Sequence, residues 1–150
     1  MVEVYFTRHA ESLANTGIRN VDAPLSNTGI EQAKKLSGYF DYIISSPLRR
    51  CKETLHYSTI DYKRLIFDEN FRERVFDQSD RLLFEPTDLI ETDDVFWRRV
   101  ATFRNNLDKL KKRCKPGEKI LLIGHAYFFN AWFRNGCFPG PYNAEIIKLE

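Results

Sequence analysis

Two short apolar runs, one near each end of the chain, constrain its fold most, because each stops at a histidine. Residues 5–7 lead to Arg8 and His9, and residues 121–124 lead to His125. Short, bounded apolar runs of this kind predict buried β-strands. In an open α/β sheet, ligands bind at the carboxyl ends of the strands. The sequence therefore places two of its three histidines at a predicted ligand-binding edge.

Predicted strands and helices alternate along the rest of the chain. Strands are expected over residues 2–7, 41–45, 64–67, 119–124 and 144–149, and helices over 27–39, from Pro47, over 93–113 and from Ala126. Residues 68–91 show no clear period and are expected to form a loop with a short helix. Such alternation is typical of a mostly parallel sheet covered on both faces. We predict a three-layer α/β/α sandwich and a single domain over residues 1–150.

Local signals define the starts and faces of the predicted helices. Thr28 with Glu31 predicts a capping box at the start of the 27–39 helix. Pro47 suits the first turn of the next helix. The 27–39 helix carries an apolar stripe of Ile30, Ala33, Leu36 and Phe40. The 93–113 helix carries a longer one of Phe96, Val100, Phe103, Leu107 and Leu110.

Composition excludes several classes of protein. The chain is 43% hydrophobic and 29% charged, with a formal net charge of +2, which does not predict nucleic-acid binding. No apolar run approaches about 18 residues, so no membrane span is expected. The cysteines Cys51, Cys114 and Cys137 are widely spaced and indicate neither a disulfide framework nor a zinc site. Without an apolar leader, a cytoplasmic location is expected. The sequence does not predict an oligomeric state.

The Arg8-His9 pair points to phosphate chemistry. An imidazole attacks phosphorus only when it is neutral, and a neighbouring guanidinium disfavours the imidazolium form. The same guanidinium holds phosphoryl oxygens through charge-assisted hydrogen bonds. His9 is therefore a candidate nucleophile, and Arg8 is a candidate phosphate ligand.

Two further motifs follow predicted strands. Residues 45–50 end in Arg49 and Arg50, and either side chain could reach a shared pocket at a helix N-terminus that favours an anion. The alternative is that both arginines are solvated surface charges. Gly124 precedes His125, which is either a phosphate ligand or a satisfied core histidine.

Other chemistries find little support in the sequence. The P-loop, the dinucleotide-binding glycine motif and the nucleophile-elbow serine motif do not occur. None of the cysteines has an arginine six residues later, so a cysteine-based phosphatase loop is not expected. A metal site built from His9, His125 and a carboxylate is disfavoured by the adjacent arginines, which repel a cation. We therefore predict no metal and no cofactor.

Four motifs together resemble the histidine phosphatase superfamily, also called phosphoglycerate mutase-like. They occur in the family's order and span nearly the whole chain: residues 7–11 with Asn15, residues 23–33, residues 45–50 and residues 123–125. The resemblance implies that His9 is the nucleophile that becomes phosphohistidine. It also favours Arg50 over Arg49, and implies a phosphate pocket of Arg8, Asn15, Arg50 and His125.

The resemblance also implies a proton donor in a short arginine–glutamate segment after the third strand. Arg72-Glu73 matches that segment best, with Glu69 and Glu85 as alternatives. A solvated loop carboxylate is the competing interpretation of Glu73.

These residues lead us to expect a metal-independent phosphomonoesterase that acts on a phosphorylated small molecule. Ala10 stands where many members have glycine, a substitution that some small members also show. The chain is also shorter than typical mutases, and the region after Glu73 has little room for insertions that enclose a bisphosphorylated ligand. A phosphoglycerate mutase-type isomerase is thereby disfavoured. The isomerase remains an alternative, together with a protein phosphohistidine phosphatase and a catalytically weak phosphate-binding module.

Overall fold

The computed structural model describes residues 1–16, 22–75, 91–134 and 140–150. Five strands alternate with four helices there: β1 (Glu3–Arg8), α1 (Asn27–Lys34), β2 (Ser37–Ser45), α2 (Arg49–Tyr57), β3 (Thr59–Phe67), α3 (Asp93–Arg113), β4 (Lys119–Gly124), α4 (Ala126–Trp132) and β5 (Ile146–Lys148). Short 3₁₀ turns cover Leu13–Thr16 and Glu69–Phe71. Among the described residues, no helix combines the length and apolar character needed to cross a membrane.

The strands form one sheet in the order β3-β2-β4-β1-β5. β1, β2, β3 and β4 run parallel, and β5 pairs antiparallel with β1 at the edge. Arg8 pairs with Gly124, and Ser45 pairs with Ile123, so β1, β2 and β4 end at the same level. The residues that follow these three strands therefore emerge side by side at one edge of the sheet.

Both faces of the sheet are covered, as expected for parallel strands. Leu122 of β4 packs into a core cluster with α3 and α4 that includes Phe103 and Phe128. Leu121 and Ile123 point to the other face, where they pack with Cys51 of α2. The predicted α/β sandwich with a mostly parallel sheet is confirmed.

Two predicted elements match the structure residue for residue, the helix over 93–113 and the strand over 119–124. The prediction for residues 27–39 was wrong at its end, because α1 stops at Lys34. Residues 37–40 instead pair in parallel with the start of β3, and Gly38 adopts a φ of 128°. β2 and β3 are consequently longer than the sequence predicted.

The helix starts also differ from the prediction. Ser26 caps α1, since its side chain accepts a hydrogen bond from the Gly29 N–H, so the capping box at Thr28 was wrong. α2 begins at Arg49 rather than at Pro47, and its N-cap residue Leu48 offers no side-chain hydrogen bond. Between the end of β2 and α2, the Ser46 hydroxyl accepts from the Leu48 N–H at 3.3 Å and stabilises the turn.

The start of α1 packs closely on the loop that follows His9. A Cβ added at Gly29 would lie 1.9 Å from the carbonyl oxygen of Glu11. That same oxygen accepts a hydrogen bond from the Ser26 N–H at 3.0 Å. Glycine is thus required at position 29, and α1 holds the His9 loop in place.

Candidate active site

Two buried imidazoles lie together at the carboxyl edge of the sheet. His9 follows β1 and His125 follows β4, and they are 4% and 0% exposed. Their ring centroids are 5.3 Å apart, with 57° between the ring planes. The backbone N–H of His9 donates to the Gly124 carbonyl at 3.0 Å. Strand pairing therefore sets the separation of the two rings.

The tautomer of His9 follows from its hydrogen bond. Nδ1 lies 2.7 Å from the carbonyl oxygen of Ala10, which can only accept, so Nδ1 carries the proton. Nε2 is left with its lone pair. Burial lowers the pKa of His9 well below 6.5, and the charges of Arg50 and Arg8 lower it further. The ring is consequently neutral at pH 7, with a basic nitrogen at Nε2.

His125 forms its hydrogen bond through Nε2, whereas His9 forms its own through Nδ1. Nε2 lies 2.8 Å from the Ser46 hydroxyl oxygen, and the Leu48 N–H donates to that oxygen at 3.3 Å. The Ser46 hydroxyl has one proton and two acceptor lone pairs, so it either accepts from Nε2–H or donates to a bare Nε2; in the second case Nδ1 carries the ring proton. Burial and then the charge of Arg50 lower the pKa of His125 well below 6.5. Nδ1 is buried without a partner among the described residues, and in the tautomer with its proton there it is able to donate to an anion.

The structure separates the two arginines of the 45–50 motif. The Arg49 side chain is 57% exposed and pairs with Glu53 at 2.5 Å, away from the histidines. Arg50 is half-buried, and its charge contributes to the lowered pKa of both histidines. Arg50 is therefore the member of the pair that lies at the site.

Arg8 contributes a second guanidinium. Its Nη1 donates to the Pro141 carbonyl at 3.4 Å, and its buried Nε has no partner among the described residues. Burial lowers the pKa of Arg8, while the negative charge of Glu73 works in the opposite direction. Two cations thus share this edge of the sheet with two neutral imidazoles, an arrangement that suits a tetrahedral oxyanion.

Glu73 reaches the site at the start of α4, the helix that follows His125. Its carboxylate accepts from the N–H groups of Tyr127 at 3.0 Å and Phe128 at 2.9 Å. Burial raises its pKa above 4.5, outweighing the backbone hydrogen bonds and the charge of Arg50, which lower it. A carboxyl group with a raised pKa beside two cations is suited to proton transfer.

The protein family is shown by a sequence comparison that covers most of the chain. The sequence model described as histidine phosphatase superfamily (branch 1) matches residues 4–135. The chain belongs to the histidine phosphatase superfamily. As a member of that superfamily it is an enzyme of the phosphatase type, which confirms the resemblance found in the motifs.

Solved structures share the fold of this histidine phosphatase at low identity. Phosphoglycerate mutase from Thermus thermophilus is 20% identical, with a TM-score of 0.70 over 99% of this chain and 92% of that one. Phosphoserine phosphatase from Entamoeba histolytica is 20% identical, with a TM-score of 0.62 over 99% and 90%. A putative alpha-ribazole-5'-P phosphatase from Escherichia coli is 22% identical, with a TM-score of 0.65 over 89% and 78%. No curated protein sequence matches the chain.

The remaining candidates of this histidine phosphatase are placed as follows. Glu69, the alternative proton donor, has a side chain that is 75% exposed and pairs with Arg72. The other alternative, Glu85, and the side chain of Asn15 lie outside what the structure describes. Within the described ranges, no group of three or more histidine, cysteine or carboxylate side chains is arranged to hold a metal ion.

Sequence reasoning missed several supporting residues of the histidine phosphatase site. The Thr54 hydroxyl accepts from the Ala10 N–H at 2.8 Å, and the Asn143 amide donates to the His9 carbonyl at 2.8 Å. Ser46 lay inside a quoted motif without an assigned role. Thr54 lies four residues after Arg50, on the same face of α2, which is the one signal that could have found it. Asn143 has no sequence signal, because it reaches His9 from a distant segment.

Proposed function

We propose that the chain is a metal-independent phosphomonoesterase that hydrolyses a phosphorylated small molecule through a phosphohistidine intermediate. The observation that carries the proposal is the state of His9, a buried neutral ring with its lone pair at Nε2, 5.3 Å from the ring of His125. The cationic side chains of Arg8 and Arg50 adjoin it. The expected cytoplasmic location stays a prediction from the sequence.

In the first step, His9 Nε2 attacks phosphorus in line, and the bond from phosphorus to the ester oxygen breaks. Glu73 gives its proton to the departing oxygen. In the second step, the Glu73 carboxylate takes a proton from water, which attacks phosphorus and breaks the bond to nitrogen. Inorganic phosphate and neutral His9 result. Catalysis is mostly positioning and charge stabilisation, supplied in this proposal by Arg8, Asn15, Arg50 and His125.

A turnover screen over phosphorylated metabolites tests the proposal. We expect release of inorganic phosphate without a bisphosphate primer, no inhibition by a metal chelator, and an acid-labile phosphoenzyme on rapid quenching. Turnover that requires a bisphosphate primer would instead identify a mutase. Hydrolysis confined to protein phosphohistidine would change the substrate class, and tight phosphate binding without turnover would identify a binding module. Strong inhibition by a chelator would revive the metal site.

The pH profile tests the role of Glu73. We expect kcat/KM of the wild-type enzyme for an alkyl phosphate to fall as pH rises through the raised pKa of Glu73, because the donor of the first step then loses its proton. The acid limb lies well below pH 6.5, where His9 becomes protonated. Glu73→Gln should lower kcat by about 10²–10⁴-fold and remove the alkaline limb.

Glu69→Gln is the matched control for Glu73→Gln, because Glu69 is an exposed carboxylate four residues away. It should leave both kcat and the pH profile unchanged. An alkaline limb that persists in Glu73→Gln, or a large loss of kcat in Glu69→Gln, would show that Glu73 is not the donor.

A further inference from the structure

A buried arginine of α3 contacts the segment that carries Glu73. The Arg99 side chain is 9% exposed, and its Nε and Nη2 donate to the two carboxylate oxygens of Glu91, each at 2.8 Å. Nη1 donates to the Asn70 carbonyl at 2.8 Å and to the Arg72 carbonyl. Nη2 also lies 3.4 Å from the Glu73 carbonyl. One guanidinium thus binds three carbonyl oxygens of residues 70–73.

Glu91 binds the chain on the C-terminal side of Glu73. Its carboxylate accepts from the Val75 N–H at 3.1 Å, and its own N–H donates to the Val75 carbonyl at 3.1 Å. Burial works to raise the pKa of Glu91, but the hydrogen bonds and charge of Arg99 outweigh it and lower the pKa. Glu91 is therefore an anion that fixes both Arg99 and the residue two positions after Glu73.

The same guanidinium also touches the helix against which Glu73 rests. Arg99 Cζ lies 5.3 Å from the centroid of the Phe128 ring, and the Phe128 N–H donates to the Glu73 carboxylate at 2.9 Å. Arg99 thereby contacts both partners of that hydrogen bond, the loop with the carboxylate and the helix with the N–H.

A buried ion pair is weak evidence for stability, since apolar residues of similar volume often serve as well. What an apolar pair cannot supply is a rigid planar set of donors for three carbonyl oxygens. We infer that Arg99, fixed by Glu91, is a positioning residue that holds Glu73 against the start of α4 in the geometry for proton transfer. The inference rests on the proposed function, in which Glu73 is the proton donor.

The inference predicts a loss that depends on the leaving group. A strongly basic alkoxide needs the donor's proton as it departs, whereas dinitrophenolate departs without it. A misplaced Glu73 should therefore slow the hydrolysis of alkyl phosphates far more than that of dinitrophenyl phosphate. A purely structural role for Arg99 would slow both equally.

The experiment measures kcat/KM, which reports the steps up to formation of the phosphoenzyme, over a series of phosphate monoesters from dinitrophenyl to alkyl. The variants are Arg99→Lys, Glu91→Gln and the exposed neighbour control Arg98→Lys. Arg99→Lys should lose about 10²-fold on alkyl phosphates and little on dinitrophenyl phosphate. Glu91→Gln should show the same trend more weakly, which keeps the test available if Arg99→Lys folds poorly by circular dichroism. Arg98→Lys should match the wild type.

Two results would overturn the inference in distinguishable ways. An equal loss over the whole series, in both Arg99→Lys and Glu91→Gln, would show that the pair only supports the fold. A wild-type enzyme that hydrolyses none of the esters would overturn the proposed function itself, and the inference with it.

Discussion

His9→Ala is expected to abolish turnover of an aryl phosphate, lowering kcat by at least about 10⁴-fold. The physical reason is that His9 supplies the lone pair that takes the phosphoryl group, and no other described side chain has that lone pair in that place. His125 cannot replace it, because its Nε2 is engaged by Ser46 at 2.8 Å. The measurement is the steady-state rate of phosphate release, together with trapping of the acid-labile phosphoenzyme by quenching in an alkaline denaturant.

His56→Ala is the control for this substitution. His56 is the third histidine of the chain, and it lies exposed on α2. It should turn over at the wild-type rate and trap the same amount of phosphoenzyme. Substantial activity in His9→Ala, or a phosphoenzyme that still forms, would contradict the proposed nucleophile.

The second large effect is expected for one of the two adjacent arginines, Arg49 and Arg50. Arg50→Ala should lose several orders of magnitude in kcat/KM, at least about 10²–10³-fold, because the guanidinium stabilises charge on the transferring phosphoryl group. Arg49→Ala should lose little, because that side chain is 57% exposed and pairs with Glu53. The two variants remove the same charge from adjacent positions, so a difference between them reflects position rather than net charge.

Arg49→Ala and Arg50→Ala are compared at two ionic strengths. The loss caused by Arg50→Ala should largely persist in high salt, since Arg50 is half-buried and screening acts mainly on exposed charges. A crippling effect of Arg49→Ala, with Arg50→Ala near the wild type, would mean that the motif had been aligned one residue out of register.

The sequence predicted the elements whose signals are local and unambiguous. β4 is a short apolar run bounded by Lys119 and Gly124, and α3 carries its stripe along most of its length, so both bounds were correct. The stripe of Ile30, Ala33, Leu36 and Phe40 led to a wrong helix end, because Leu36 lies between α1 and β2 and Phe40 belongs to β2, which pairs with β3. Pairing between segments about twenty residues apart overrides local periodicity, and no single window of sequence reveals it.

The residues of the candidate site also fall into two groups, those that the sequence predicted and those that it did not. The two histidines could be placed because each ends an apolar run, and Arg50 was favoured over Arg49 by the family motif rather than by any physical argument. The raised pKa of Glu73 depends on burial under α4, which the sequence does not display. Arg99 is a charged residue beside the apolar stripe of α3, and no local pattern indicates its partners, which lie up to 29 residues away.

The matched ends of β1 and β4 have a consequence for how the enzyme is inhibited. Because paired backbones hold both histidines, we expect the separation of the two rings to stay the same when an anion binds. Under the proposed mechanism, released inorganic phosphate therefore binds in the same pocket as the phosphate group of the substrate ester. Selectivity for the ester must then come from contacts with its organic portion, made by side chains beyond the rigid sheet edge.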